Sequence, residues 1–481
     1  MRLSTVIGFA FVTSWCAPDF LQAATSSQPN IVVILTDDQG DADISLNPHH
    51  PQEVSTPHMD ALAHDGVTFT QAYTSGDVCS PTRAGLMLGR YQQRVGVYSA
   101  GDGGRGFDPK ISVFPSFLPD KYVTAAIGKW HLGLDEDYPE LKWHALNRGF
   151  DECYKFMGRG GHDYFNLRSD AEGKFMHPIY RNKERIHDKG YLTNRLSEEA
   201  VAFIERSKSR PFFLYLAYNA VHAPAQAPQD DITAYRRRFP NITKERAILM
   251  AMLKHLDDGV GQVVGKLKKE GLFDNTLLFF LTDNGGSKAM SADNTPLRGF
   301  KGSLEEGGIR TPFIVSWPAK FSGNRTVDTP IISLDILPTA LEAIGVEPPA
   351  DPAFDGKSLL PLLTGASKKH HQTLFWCKEG GEWAVRRGDW KLRSVKEQIE
   401  LFHLADDPSE TANLADNRPE TVKTLRNAFE AWIAEMADPL SGASKPGEVK
   451  PQGELTEREK ERERIRAERK AQRAAAKRAK K

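Results

Sequence analysis

Net charge, cysteine and long apolar runs are all in short supply in this chain. Its 63 Lys and Arg residues are balanced by 63 Asp and Glu, so there is no overall positive field to draw the chain to nucleic acid. Four cysteines occur in 481 residues. None of the others lies near Cys79, which argues against redox or zinc chemistry there. The N-terminal apolar run from Val6 to Val12 and on through Trp15 is too short to cross a bilayer, so no transmembrane segment is expected. Arg2 precedes it, and the small residues Ala23, Ala24 and Ser26 follow. That arrangement reads as an export signal over residues 1–24, ahead of a buried N-terminal helix, and predicts a periplasmic or secreted protein. Cys16 lies inside the signal without a lipoprotein context. Its removal leaves Cys79, Cys153 and Cys377.

What is present is a core. Hydrophobic residues make up 40% of the chain, enough for one large domain and a smaller one. The run Asn30-Ile31-Val32-Val33-Ile34-Leu35 is continuous, apolar and β-branched, the pattern of a central parallel strand buried on both faces. Thr276-Leu277-Leu278-Phe279-Phe280-Leu281 repeats it. Each run ends in a polar tip, Thr36-Asp37-Asp38-Gln39-Gly40 and Thr282-Asp283-Asn284-Gly285-Gly286. Ligands bind at the carboxyl ends of strands in open α/β sheets. A bare Asp-Asp pair on its own reads as a solvated acidic turn. If the two strands share a sheet, four oxygen-bearing side chains meet at one rim, a donor set for Ca²⁺ or Mg²⁺ rather than zinc.

Cys79-Ser80-Pro81-Thr82-Arg83 runs into Ala84-Gly85-Leu86-Met87-Leu88, the start of a buried helix. A nucleophile at a helix N-terminus sits among free backbone N–H groups and favours an anionic substrate. The Cys-to-Arg spacing is two residues too tight for a Cys-x5-Arg phosphate cradle. A lone Cys also reads as a small buried hydrophobe. Further along, Gly128-Lys129-Trp130-His131 ends another strand, with Lys129 and His131 on one side if the chain stays extended. A cation beside an imidazole suits anion binding with proton transfer. His222-Ala223-Pro224 follows the buried strand 211–218, and Lys301 lies in a glycine-rich stretch, 297–312. Glycine lets backbone approach a ligand closely there.

Taken in order, these motifs resemble the type I, formylglycine-dependent sulfatases of the alkaline phosphatase superfamily, over roughly residues 30–414. The resemblance implies an α/β fold: a large mixed, mostly parallel sheet flanked by helices, with a smaller C-terminal antiparallel sheet subdomain. It also implies a sulfuric ester hydrolase in which Cys79 is oxidised to formylglycine by a formylglycine-generating or anaerobic sulfatase-maturating enzyme. The metal ligands would be Asp37, Asp38, residue 79, Asp283 and Asn284, around one Ca²⁺ in preference to Mg²⁺. Arg83, Lys129 and Lys301 would neutralise sulfate oxygens, His222 would protonate the leaving oxygen, and His131 would act as base in sulfate release. The family more often has Gly where Phe300 stands, which leaves Lys301 in register.

The implied domains are 25–365 for catalysis and 366–440 for the C-terminal subdomain, with a charged tail at 441–481 that is either disordered or helical. The Gly-, aromatic- and Arg-rich stretch 141–191 is expected to shape a pocket for a sulfated carbohydrate, with Arg105, Trp143, Arg159 and His162 as substrate contacts. Any of these equally fits loops packed on themselves. With Cys79 modified, Cys153 and Cys377 are either a disulfide pair or two separate thiols. Helices are predicted at 197–207 and 247–268, and Asp257 and Asp258 are assigned to packing and solvation. Two rival functions stand beside the main one. The first is a phosphatase or phosphodiesterase of the same superfamily, for which a second set of Asp and His ligands is lacking. The second is a non-catalytic glycan-binding relative, against which the full set of charged motif residues argues.

Overall fold

Strand β1 (Asn30–Thr36) is buried along its whole length. Its side chains alternate, Val32 and Ile34 packing into one layer and Ile31, Val33 and Leu35 into the other. Each such side chain contributes roughly 1.5–3 kcal/mol of burial, which anchors the polar tip that follows. The structure is a computed structural model that describes residues 28–133, 140–156, 160–168, 170, 173, 175–445 and 464. The export signal, nearly all of the charged tail and Arg159 lie outside the described residues.

After β1 come α1 (Pro57–His64), β2 (Val67–Phe69), β3 (Ala72–Tyr73), α2 (Cys79–Leu88), α3 (Ala100–Arg105), β4 (Val123–Lys129) and β5 (Glu152–Phe156). The middle of the chain forms β6 (Ile179–Arg181), β7 (Glu184–Ile186), α4 (Leu192–Ser207), β8 (Phe212–Ala217), α5 (Gln229–Arg238), α6 (Lys244–Lys269) and β9 (Thr276–Thr282). Then follow α7 (Glu306–Ile309), β10 (Phe313–Ser316), β11 (Arg325–Val327), β12 (Ile331–Ile332), α8 (Ile336–Ala343) and α9 (Leu360–Leu363). The last part is β13 (Thr373–Cys377), β14 (Trp383–Arg387), β15 (Trp390–Val395), β16 (Gln398–His403) and α10 (Pro419–Ala434).

Among the described residues the main sheet has ten strands in the order β11-β2-β10-β9-β1-β8-β4-β5-β6-β7. Its centre, β9-β1-β8-β4-β5, is parallel, and β10, β6 and β7 add antiparallel edges. Helices α1, α4, α5 and α6 cover one face, and α2, α8 and α9 cover the other. The predicted α/β class and the mixed, mostly parallel sheet are observed. Among the described residues, no helix is long and apolar enough to cross a membrane.

The second sheet, β13-β14-β15-β16, is antiparallel throughout. It packs on α10 through stacked rings, Trp383 on Phe429 at 4.3 Å and Phe375 on Trp432 at 5.1 Å. A buried ionic group ties this sheet to α7. Lys391 lies 2.8 Å from Glu306 and 3.0 Å from Glu410, and the Tyr73 hydroxyl donates to Glu306 at 2.6 Å. Removing one member of such a buried group leaves an uncompensated buried charge and is strongly destabilising.

The stretch 67–73 is two strands, β2 in the main sheet and β3 paired with β12, because the chain turns at Thr70 and Gln71. Two helix starts differ from expectation. The helix expected at 197–207 begins at Leu192. Ser197 lies inside it and donates its hydroxyl to the Thr193 carbonyl at 3.0 Å. Helix α6 starts at Lys244, capped by the Thr243 side chain accepting the Arg246 N–H. Cys153 and Cys377 are both free and buried, so the two-thiol alternative is the one observed.

Candidate active site

The register of β1 against β9 pairs Thr36 with Thr282. The two polar tips therefore leave the sheet side by side, and Asp37, Asp38, Asp283 and Asn284 converge and are buried. Asp38 turns the chain with a positive φ of 62°. Backbone bonds lace this loop to the tip of β8, from the Asp37 N–H to the Ala220 carbonyl at 3.0 Å and from the Val221 N–H to the Asp37 carbonyl at 2.7 Å.

Cys79 is the first residue of α2 and faces these acids, its Sγ 3.4 Å from Asp37 Oδ1. Lys301 Nζ lies 3.3 Å from the same sulfur and 2.6 Å from Asp38 Oδ1. Lys129, ending β4, places its Nζ 2.5 Å from Asp37 Oδ2. His222 Nε2 is 3.7 Å from Asp38 Oδ2. Its Nδ1 meets the Ala223 carbonyl at 2.8 Å, which assigns the proton on that nitrogen. His131 follows β4 in a positive-φ turn, φ 55°, so an extended chain is not what brings it beside Lys129.

Arg83 behaves differently from its expected role. Its side chain is fully buried, with Nε and Nη2 donating to Asp283 Oδ2 at 3.0 and 2.7 Å and Nη1 to the Lys129 carbonyl at 2.8 Å. These bonds occupy the guanidinium, so it holds Asp283 and the end of β4 in place and is not free to grip a sulfate oxygen.

Burial and charge set the protonation states. Burial and the nearby Asp283 push the Cys79 thiol up, but Lys129, Lys301 and a hydrogen bond from His222 outweigh them and bring it down to about 6. Burial raises Asp37, aided by Cys79, and raises Asp283, aided by Asp37. Asp38 goes the other way, since Lys301, His222 and Lys129 overcome its burial. Burial, with Lys129 and Arg83, holds His131 well below the ordinary imidazole range. His222 is raised, because Asp38 and Asp37 overcome its burial. One imidazole is thus pushed toward its neutral form and the other toward its charged form within one pocket, a division suited to a base and an acid.

The residues fit a hard divalent cation. Ligand atoms of Asp37, Asp38, Cys79 and His222 lie within 4.8 Å of one another. Asn284 Oδ1 is buried with no hydrogen-bond partner, while its Nδ2 donates to Asp38 at 2.8 Å. An orphaned carbonyl oxygen beside three carboxylates is a donor set for Ca²⁺ or Mg²⁺.

Cys79, His222 and Lys301 reach the floor of a cavity of about 390 Å³ whose walls include Val78, Gly101, Gly104, Arg105, His131 and Gly160. Of the expected substrate residues, Arg105 is exposed at this wall. Trp143 is not turned to it, since its indole N–H donates to the Phe107 carbonyl at 2.8 Å and its ring packs behind Gly106. His162 is buried, its ring nitrogens 2.7 and 2.9 Å from the carbonyls of Asp163 and His177. It supports the fold. Tyr164, in the stretch 141–191 expected to shape the pocket, braces the fold, its hydroxyl 2.8 Å from the carbonyls of Asn219 and His222. Lys378, which no motif marks, went unrecognised in the sequence; from the turn between β13 and β14 it donates to the Gly302 carbonyl at 2.6 Å.

Residues 29–346 match the family model described as Sulfatase. The chain belongs to the sulfatase family. It is a sulfuric ester hydrolase by that membership, with the fold of the alkaline phosphatase superfamily. Residues 301–437 of this sulfatase also match the C-terminal region of N-sulphoglucosamine sulphohydrolase. Its relatives include an uncharacterised sulfatase, YdeN, of Escherichia coli, 30% identical over 87% of this chain and 88% of that one. The N-acetylgalactosamine-6-sulfatase of Mus musculus is 29% identical over 77% and 73% of the two chains. Among solved structures, Ps i-CgsB in complex with k-i-k-neocarrahexaose superimposes with a TM-score of 0.80 at 32% identity, covering 86% of this sulfatase and 94% of that chain. The phosphonate monoester hydrolase of Agrobacterium radiobacter shares the fold at 20% identity, with a TM-score of 0.61.

Proposed function

We propose that this enzyme hydrolyses sulfate monoesters on a carbohydrate, using Cys79 after its conversion to formylglycine and one Ca²⁺ held by Asp37, Asp38, residue 79, Asp283 and Asn284. The observation that carries the reading is the position of Cys79, at the head of α2 on the cavity floor, between the acidic tips of β1 and β9 and within 3.3 Å of Lys301. A hydrated aldehyde at position 79 would supply one hydroxyl as nucleophile toward sulfur and a second whose deprotonation would release sulfate, and a divalent ion held by the acids would supply positive charge for the sulfate oxygens.

The remaining steps fall to the chain. Lys301, at the cavity, and Lys129, buried behind it against Asp37, stabilise negative charge as the S–O bond breaks. His222, with Nδ1 committed to Ala223, presents Nε2 to protonate the departing sugar oxygen. His131, held neutral, takes the proton whose loss releases sulfate. Arg83 and Tyr164 hold Asp283 and the His222 segment in place. Asp37, Asp38 and Asp283 face Lys129, Lys301 and Arg83 here, so a divalent ion would leave the site net positive toward the singly charged sulfate ester.

A sulfated oligosaccharide, ahead of a small aryl sulfate, is the substrate we assign to the cavity. Glycines 101, 104 and 160 leave room for a puckered ring, and Arg105 offers a cation at the wall. The relatives' substrates accord with this, a carrageenan oligosaccharide in one and an amino-sugar sulfate in another. Export to the periplasm or exterior, and maturation by an enzyme reading Cys79-x-Pro81-x-Arg83, belong to the same reading. The test is release of sulfate and of phosphate, side by side, from sulfated galactan and glycosaminoglycan oligosaccharides and matched phosphate esters. Sulfate release that far exceeds phosphate release is expected, and a preference for phosphate would sink the reading.

A further inference from the structure

Apart from the active site, Asp335, His370 and His371 bring a carboxylate and two imidazoles to one point, with ligand atoms within 4.8 Å of one another. They share no residue with the Asp37, Asp38, Cys79 and His222 cluster. Asp335 is fully buried just ahead of α8. The two histidines lie just before β13 with only 5% and 7% of their side chains exposed. His370 Nε2 is 3.0 Å from Asp335 Oδ2, and His371 Nε2 is 2.7 Å from Oδ1. Each oxygen also accepts a backbone N–H, from Ile332 at 2.9 Å and from Lys357 at 2.8 Å. These two bonds fix the plane of the carboxylate from behind. The Lys357 ammonium is turned to the His370 carbonyl, 3.5 Å away, and not to the carboxylate.

We propose that Asp335, His370 and His371 form a structural zinc site that staples the strand entering the small sheet to the head of α8 in the large unit. Two imidazole nitrogens and a carboxylate are a donor set that zinc favours, at about 2.0–2.2 Å per ligand. Around a tetrahedral ion of that size the ligand atoms stand about 3.3 Å apart. The present contacts of 2.7 and 3.0 Å are a few tenths of an ångström tighter. A small outward movement of two side chains outside any strand or helix admits the ion. To bind zinc, each imidazole takes its Nδ1-protonated tautomer: the proton that now bonds Asp335 moves from Nε2 to Nδ1, and the freed Nε2 lone pair turns to the metal. The N–H donors on Asp335 are the outer support that metal-bound carboxylates commonly have.

The full-length enzyme, dialysed against Zn²⁺ in excess Ca²⁺, is expected to retain about one equivalent of zinc, and Zn²⁺ is expected to raise its Tm by a few degrees. Both effects are expected to vanish in the His370→Ala, His371→Ala double variant, with sulfatase activity unchanged. Co²⁺ in place of Zn²⁺ should give visible absorption bands in the natural protein. His371→Gln, a milder change for use if the double variant does not fold, should weaken metal retention at least tenfold. Absence of retained zinc and of cobalt bands in the natural protein would overturn the site and leave a hydrogen-bonded clasp. Equal retention by natural protein and variant would overturn it as well, by placing the ion elsewhere.

Discussion

Replacing His222 by Asn separates proton donation from every other role this side chain has. The Asn amide can still donate to the Ala223 carbonyl where Nδ1 now does, so the ring's anchoring bond has a substitute while the proton on Nε2 is lost. General acid catalysis is worth about 10²–10⁴-fold, or ~3–5 kcal/mol at 1.36 kcal/mol per decade. Lys301, 3.3 Å from Cys79 Sγ, remains to offer charge to the departing oxygen, so the lower end is expected: about 10²–10³-fold in kcat on a sugar sulfate, whose alkoxide leaves poorly without a proton. A nitrophenolate departs unaided. The same variant should therefore lose less than about tenfold on nitrophenyl sulfate. Steady-state sulfate release on both substrates decides it. Equal losses on the two would refute the acid assignment and make His222 a positioning group.

Lys301→Met should leave the fold intact and lower kcat by about 10²–10³-fold, the cost of one lost donor to developing charge; a variant with near-normal kcat would remove Lys301 from the chemistry. Chelation with EGTA should abolish activity, and Ca²⁺ should restore it better than Zn²⁺, read by sulfate release after readdition. Asp257 accepts the His58 and Met59 N–H groups at 3.1 and 2.8 Å at the start of α1, and burial raises its carboxyl to about 6 from 3.8. Because the folded value lies above the unfolded one, its stabilising effect is present below pH ~4 and lost as pH rises through 6, by roughly 3 kcal/mol. Asp257→Asn cannot ionise. The stability of the natural protein relative to this variant should fall between pH 4 and 7, and a gap unchanged across that range in denaturant melts would count against the shift.

The parts of the site that could be read in the sequence are those where chemistry sits on a regular element. Two buried apolar runs with acidic ends had to be strands, and their pairing Thr36 to Thr282 puts the acids together. Cys79 at a helix start and Lys129 at a strand end follow the same rule. Trp143 and His162 were misread because, in a loop-rich insertion, an aromatic or imidazole that braces the fold looks the same as one that faces a ligand. Only their bonds to carbonyls separate the two cases. Arg83 was legible as a cation but not as a buried one, since its partner Asp283 lies 200 residues away. Lys378 comes from the small sheet, and nothing local announces that the turn there reaches Gly302.

The direct test of the whole account is the mass of the peptide carrying residue 79, taken from protein that is actively releasing sulfate. An aldehyde is predicted, with sulfur and two hydrogens lost and one oxygen gained. Full activity from protein in which that cysteine is intact throughout would contradict it.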